Sequence, residues 1–283
     1  MALNLGGGSL TSNYSALYLG NAQSMLSQSL LRLSSGQRIN KPSDDPGGLA
    51  VSMKLKNAIT VTEATKRNVD NALSYTDTQD SALESVADIL DRMSTIKTSY
   101  GSGTATTSDK SSYASEFKEL QKQLDVFKSE TFNSLSLFSS STVSKQVTIS
   151  TRGDSGPTIS ISSLDISGAL SVSSTINLAN ATGSVTISGI SIGNLTTAIT
   201  QVASLRATSG ATSSRLQFSS DFLDTSKTNL EAANSRIMDV DIADEVTNYA
   251  KYNVQVYAAS AALAQSNLNM GIVLDLLNFG SSR

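Results

Sequence analysis

Carboxylates are the only chemically versatile side chains that this sequence gathers into groups. Asp44 and Asp45 form one pair, and Asp239, Asp241, Asp244 and Glu245 form a second group near the far end. Paired acids can perform general acid and base work or hold a divalent cation. Either task usually recruits partners that are missing here. The chain contains no His and no Cys, which removes the usual neutral-pH base, the imidazole ligand, the thiolate nucleophile and every disulfide. Asp44 and Asp45 therefore read as a turn and a helix start, where a carboxylate suits the positive end of the helix dipole. Asp239 and Asp241 read the same way for a final helix, with Arg32, Arg38 and Arg236 as cations able to pair with these acids. Gly36, Gly47 and Gly48 lack the spacing and the Lys-Ser/Thr ending of a phosphate loop, and read as hinge residues. Asn180-Ala181-Thr182 and Asn194-Leu195-Thr196 fit the short Asn-glycosylation pattern. No catalytic, cofactor-binding or metal-binding residue is assigned, and the chain reads as not an enzyme.

The elements that carry these groups are two helical arms around a different middle. Tyr14, Leu17, Tyr18, Ala22, Met25, Leu26, Leu30 and Leu33 recur at three- and four-residue steps and draw one stripe on a first helix. Turn residues and two prolines from Asn40 to Gly48 interrupt it and mark a joint. Leu73, Leu83, Val86, Leu90, Met93 and Ile96 resume helical spacing up to Gly101-Ser102-Gly103. A helix carrying Tyr113, Phe117, Leu120, Leu124 and Phe127 then packs back on it. From about Val143 to Leu195 the period drops to two in places: Val147 and Ile149, Ile159 and Ile161, Leu170 and Val172, Val185 and Ile187, Ile190 and Ile192. This predicts short strands or hairpins, small and peripheral. Val202, Ser209, Leu216, Leu223, Leu230 and Ile237 then recur every seven residues, a seam that needs a long partner. A last helix runs through Ile242, Val246, Tyr249, Val254, Tyr257, Ala261, Leu263, Ala264, Leu268, Ile272 and Leu276, with a broad apolar face rich in small residues.

The expected fold is mainly α. It is a long antiparallel coiled coil or helical rod built from both chain ends, with a small β-hairpin region in the middle. Neither terminal helix can bury its stripe alone, and an isolated helix gains little from propensity in water. If the two ends pair only with each other, part of the wider C-terminal stripe stays exposed. Copies of the same chain could cover it by head-to-tail association, which generates open helical filaments. The start of the chain, Met1 to Gly8, has no basic segment followed by a continuous apolar core, so a cleaved secretory signal is not expected. No stretch approaches the roughly 20 apolar residues of a spanning helix, so membrane insertion is not expected. With a formal net charge of -3 and no basic cluster, nucleic acid is not an expected partner either.

Two motifs carry a family resemblance. Leu33-Ser34-Ser35-Gly36-Gln37-Arg38-Ile39-Asn40 followed by Asp44-Asp45-Pro46-Gly47-Gly48-Leu49-Ala50-Val51 resembles the N-terminal signature of bacterial flagellins. At the far end, Ser235-Arg236-Ile237-Met238-Asp239-Val240-Asp241, then Glu245-Val246, Leu263-Ala264-Gln265-Ser266-Asn267 and Val273-Leu274-Asp275-Leu276-Leu277 match independently, and Phe132-Asn133 resembles a Phe-Asn pair of that family. The resemblance covers about Leu10 to Phe138 and Ile199 to Leu277. Departures are Gly6-Gly7-Gly8, the ending Asn278 to Arg283, and a joint stiffened by Pro42 and Pro46.

The resemblance implies a minimal flagellin, with little or no outer domain, that self-assembles into the flagellar filament for swimming motility. Residues 1–40 and 241–283 would form the terminal coiled-coil polymerisation domain, and 41–240 a helical rod domain with a β-rich segment at about 143–195. Polymerisation would use Tyr14, Leu17, Met25, Leu26, Leu30 and Leu33 with Val246, Tyr249, Tyr257, Leu263, Leu268, Ile272 and Leu276. Motif and joint residues would be Arg38, Asn40, Asp44, Asp45, Gly48, Arg236, Asp239 and Asp241. An epitope for an animal innate immune receptor would map to Arg92, Ile96 and Glu116, beside an Asp91 that departs from the family's amide. Implied partners are other copies of the chain, an export chaperone, the filament cap and hook-junction proteins, with no cofactor. The implied location is the extracellular filament, reached through the flagellar type III pathway. Competing readings are a hook-filament junction protein, which shares the ends but forms a short ring, and an exported adhesin displaying the β-rich middle.

Overall fold

The computed structural model describes residues 6–140, 143–150, 156–173, 176–179 and 185–281, with side chains throughout except at 6–11, 172, 173, 176, 270 and 273–281. Helices fill most of it: α1 (Gly6–Ser35), α2 (Pro46–Tyr100), α3 (Thr107–Lys128), the short α4 (Ile166–Leu170), α5 (Ile192–Met238) and α6 (Ile242–Ser281). Between α3 and α5 lie three two-stranded antiparallel ribbons. They pair β1 (Thr131–Phe132) with β2 (Leu135–Ser136), β3 (Ser144–Thr148) with β4 (Thr158–Ser162), and β5 (Ser171–Ser173) with β6 (Ile176–Asn177). The chain divides into two compact units, Met1–Asn57 with Leu230–Arg283, and Ala58–Asn229.

In the first unit α1 and α6 run antiparallel. Ser12 Oγ donates to Asn267 Oδ1 at 3.3 Å near one end, and Ser29 Oγ donates to the Glu245 carbonyl at 3.3 Å near the other. The covered positions of α1 include Ser12, Ser15, Leu19, Ala22, Leu26, Ser29 and Leu33; those of α6 include Glu245, Tyr249, Tyr252, Val256, Ala259, Leu263 and Ser266. Both sets alternate steps of three and four, the spacing of helices packed lengthwise. On the α1 side the small residues Ser12, Ser15, Ala22 and Ser29 share the seam with Leu19, Leu26 and Leu33.

Each helix boundary has a local cause. Gly36 adopts φ 69, a left-handed conformation open to glycine, and its N–H closes α1 on the Arg32 carbonyl at 2.9 Å. The chain then leans on the end of α5. Arg38 N donates to the Met238 carbonyl at 2.6 Å and Val240 N to the Gly36 carbonyl at 3.0 Å, with Ile39 and Met238 buried. Asp45 caps α2 by accepting from Gly48 N at 2.8 Å, with Pro46 at the first helical position where no N–H is needed. Gly48 carries no side chain because a Cβ there would run into the Asp45 carboxylate and, at 2.9 Å, into Ile39 Cδ1.

In the second unit α2 and α5 pack antiparallel and α3 turns back along α2. The predicted heptad of α5 buries Val202, Ser209, Leu216 and Leu223. It faces α2 positions Val69, Ala72, Thr76, Gln79, Leu83 and Val86, which alternate in the same way. Thr106 and Asp109 form a reciprocal capping box that starts α3. Leu90, Met93 and Ile96 of α2 join Phe117 and Leu124 of α3 in one core.

The middle segment departs from the sequence expectation in two respects. Among the described residues only β3 and β4 form a hairpin of some length, in which Val147 faces Ile159. Leu170 instead ends α4, Ile187 lies in a 3-10 turn (Ile187–Gly189), and Ile192 opens α5. Two apolar residues separated by one polar residue also fit a single helical turn, so short alternations are ambiguous. Nor is the segment peripheral. Ile159, Ile161, Leu164, Ile166, Leu170, Leu178, Ile187 and Ile190 are all buried and belong to the same core as α2, α3 and α5. Between residues 155 and 205 Asp165 is the only ionisable side chain, as suits a wall of that core.

Candidate functional site

The acidic groups singled out in the sequence are structural in this geometry. Asp44 Oδ2 accepts from the backbone N–H groups of Asn40 at 3.1 Å and Lys41 at 2.9 Å, and Oδ1 accepts from Gln28 Nε2 at 3.2 Å. Those backbone donors hold its carboxyl below the ordinary value. Asp241 Oδ1 accepts from Ala243 N at 2.9 Å and Asp244 N at 3.3 Å and so caps α6. Asp239 is bonded by Ser235. Of the three arginines, Arg32 pairs within the chain with one of these acids and also acts on the Asp44 charge. Arg38 donates to the Ile237 carbonyl at 3.0 Å, and Arg32 approaches Glu245 at 3.9 Å. Among the described residues no group of three potential metal ligands forms, and no helix is long and apolar enough to cross a membrane. Asn40, Asp44, Asp45, Gly48, Arg38, Asp239 and Asp241 thus hold the two chain turns of the first unit in shape; Arg236 lies in the last turn of α5, just before Asp239.

The terminal helices carry the larger signal. Of the stripe predicted on α1, Leu26 and Leu33 are half-buried and Ala22 is buried, facing α6, whereas Tyr14, Leu17, Met25 and Leu30 are exposed. One apolar stripe in the sequence is therefore two faces in the structure. The inner seam escaped sequence reading because four of its positions are serine or alanine, which give no hydrophobic periodicity; the three-four spacing of small residues was the available sign. On α6, Tyr249 and Leu263 sit in the inner seam, while Val246, Tyr257, Leu268 and Ile272 are exposed. Leu276 lies in α6, with its side chain outside the described residues.

The exposed positions of α6 make a pattern of their own. Val246, Ala250, Val254, Tyr257, Ala261, Ala264, Leu268 and Ile272 follow one another at steps of three and four, all on the exposed side. Tyr257 is 70% exposed, Val254 67% and Leu268 63%. The helix is apolar on two faces, and α1 covers one of them. A second face of this length, about 39 Å at 1.5 Å per residue, is too extensive to be a scatter of surface apolar groups.

These helices are also where the chain matches known proteins. The model of the bacterial flagellin N-terminal helical region matches residues 10–142, and that of the bacterial flagellin C-terminal helical region matches residues 192–277. This chain belongs to the bacterial flagellin family. It is 29% identical over 247 residues to a flagellin of Halalkalibacterium halodurans, covering 87% of this chain and 89% of that protein. It is likewise 29% identical over 282 residues to the flagellar filament 33 kDa core protein of Treponema phagedenis, covering 94% and 98%. In architecture it is similar to a putative flagellar hook-associated protein from Vibrio parahaemolyticus, with a TM-score of 0.59 at 15% identity over 69% of this chain and 100% of that one. That last likeness is one of fold. The family signatures leave residues 143–191 unmatched, and these carry the β3–β4 and β5–β6 ribbons, whose neighbourhood contributes to the core of the second unit.

The three residues of the implied receptor epitope do not share one surface. Arg92 donates from Nε and Nη2 to Glu116 Oε1 at 2.8 and 2.6 Å, an ion pair bridging α2 and α3. Ile96 is 2% exposed and belongs to the core. A partner docking on the intact unit would meet the ion pair and not Ile96.

Proposed function

We propose that this flagellin is the structural subunit of a bacterial flagellar filament, assembling with copies of itself through the terminal helices to serve swimming motility. The observation that carries this reading is the second apolar face of α6, which the chain's own α1 leaves uncovered. Covering it removes apolar area from water at about 25 cal/mol per Å², before the ordering of side chains is subtracted. Tyr14, Leu17, Met25 and Leu30 on α1, with Val246, Tyr257, Leu268 and Ile272 on α6, are the contacts between copies. Leu26, Leu33, Tyr249 and Leu263 act one step earlier by holding α1 on α6 so that both outer faces point outward together. Leu276 extends the same helix toward its end.

In this reading residues 1–40 and 241–283 are the polymerisation domain and 41–240 the rod domain. Assembly is the completion of folding, because each terminal helix finds its last partner only on another copy. A subunit of this kind leaves the cell through the flagellar type III pathway without a cleaved signal, attended by an export chaperone, and adds beneath a filament cap beyond the hook-junction proteins. The test is elongation of sonicated filament seeds by purified monomer, followed by electron microscopy. Growth of continuous helical filaments is the expected result, and short closed rings or no growth across a range of salt concentrations would refute it.

A further inference from the structure

Gln121 presents an unsolved polar group in the second unit. Its side chain lies on the inner face of α3 between Phe117 and Leu124, is 0% exposed, and neither its Oε1 nor its Nε2 has a hydrogen-bond partner among the described residues. A buried amide with both ends unpaired is costly, and such groups in native proteins call for an explanation. Gln121 also lines a cleft of about 400 Å³ between α3, the last turn of α2 and the segment around Ile187. That volume falls within the range of small-molecule sites.

The chemistry of the cleft is one-sided. Tyr100 forms an aromatic wall, with the ammonium groups of Lys97 and Lys110 5.6 and 5.9 Å from its ring centroid. Lys118 stands exposed one turn before Gln121, and hydroxyls come from Ser111, Thr186 and Ser188. No acidic residue lines it. Because the Gln121 amide holds no hydrogen bond in its buried position, turning it toward the cleft forfeits none. Its carbonyl and amino ends would then meet a hydroxyl group, which can both donate and accept. Lys118 would meet a negative charge.

We propose that this cleft binds a small hydroxylated carboxylate of the size of a sugar acid, with its carboxylate on Lys118, its hydroxyls on Gln121 and its ring against Tyr100. This site is separate from the terminal helices and independent of polymerisation. The test is saturation-transfer difference NMR on the full-length monomer with glucuronate as probe, and with glucose and acetate as controls for charge and hydroxyls. Glucuronate should show transfer at millimolar concentration, several-fold above either control, and both Gln121→Leu and Lys118→Ala should abolish most of it. Gln121→Leu also removes the unpaired amide, so its thermal midpoint should equal or exceed the wild type, which separates lost binding from lost fold. Absent transfer, equal transfer to the controls, or transfer that survives both substitutions would overturn the proposal.

Discussion

The hydroxyl of Ser209 lies 3.4 Å from Oε1 of Gln79, in the seam between α5 and α2. On its other end the Gln79 amide donates from Nε2 to the Leu137 carbonyl at 2.7 Å and sits 3.5 Å from the Ser162 carbonyl. One fully enclosed side chain thereby joins α2 to α5, to the end of the first ribbon and to the end of β4. A heptad seam of plain apolar residues could slide by one repeat, whereas a polar pair at one level satisfies its bonds in one register only.

Replacing Gln79 by Ala should therefore cost about 2 kcal/mol, because it takes the 2.7 Å donor from the Leu137 carbonyl, leaving only the longer bond from Leu164 N at 3.4 Å, and opens a void. Ser209→Ala removes only one partner and should cost about 1 kcal/mol. Urea unfolding followed by circular dichroism compares the two. Equal effects would mean that Gln79 serves only to fill space.

The two faces of α1 give a sharper separation. Leu17→Glu sits on the outer face, 59% exposed in the monomer, and should leave helicity and thermal midpoint unchanged while blocking seed elongation. Leu26→Glu, in the inner seam against α6, should block elongation and also reduce monomer helicity, since a charge there opposes the pairing. Elongation by the Leu17 variant at the wild-type rate would remove the outer face from the polymer contact.

Acid should weaken the fold through specific carboxylates. Backbone N–H groups of Lys41 and Asn40 lower the Asp44 carboxyl below 3.8, and Thr106 does the same for Asp109 through its side chain and backbone. Burial pushes Asp70 upward, but the bonds from Lys66 and Ser220 outweigh it and leave it lowered. A folded value below the unfolded one contributes stability that is present above 3.8 and lost as pH falls through the folded value. With no His or Cys to titrate, the thermal midpoint should be flat from about pH 5 to 8 and fall below about pH 4. Asp44→Asn should make the fall shallower, and a steep change near neutrality would contradict the assignment.

At Gly36 a Cβ meets nothing within 4 Å, so only the backbone conformation resists substitution. Gly36→Ala should cost about 1 kcal/mol, the penalty for an L-residue held at positive φ. Calorimetry of the monomer would show this as a small downward shift of the midpoint. A large loss would point to a clash that the geometry does not contain.

Arg206 offers a contrast with Gln79. It grips Asp80 with two bonds of 3.0 and 3.1 Å, yet both side chains remain over a third exposed. Arg206→Ala should cost less than about 1 kcal/mol, and the difference should shrink with added salt. Denaturant midpoints at low and high ionic strength measure it.

Much of this architecture was legible in the residues. The seven-residue recurrence from Val202 to Ile237 located the α5 seam, because a period that long is rarely produced by anything but a helix packed on a helix. Asp45-Pro46 and Asp241-Ile242 marked helix starts by chemistry that is local. The α1 seam was hidden, because serine and alanine can face a partner as readily as solvent, and their burial depends on which helix arrives opposite. The middle segment misled for a related reason: a pair such as Ile190 and Ile192 satisfies a strand and a helical turn alike.

The sequence by itself determined where α2 and α6 begin and where α1 ends, that the chain has no thiol or imidazole chemistry, and that its two ends carry the flagellin signatures. These follow from neighbours along the chain, which meet whatever the fold. Only the tertiary structure decided which half of each apolar stripe is covered, that Gln79 and Ser209 share one level, and that Gln121 is buried without a partner among the described residues. Those outcomes depend on which distant segments pack against one another, and no local pattern encodes the residue that will stand across the seam.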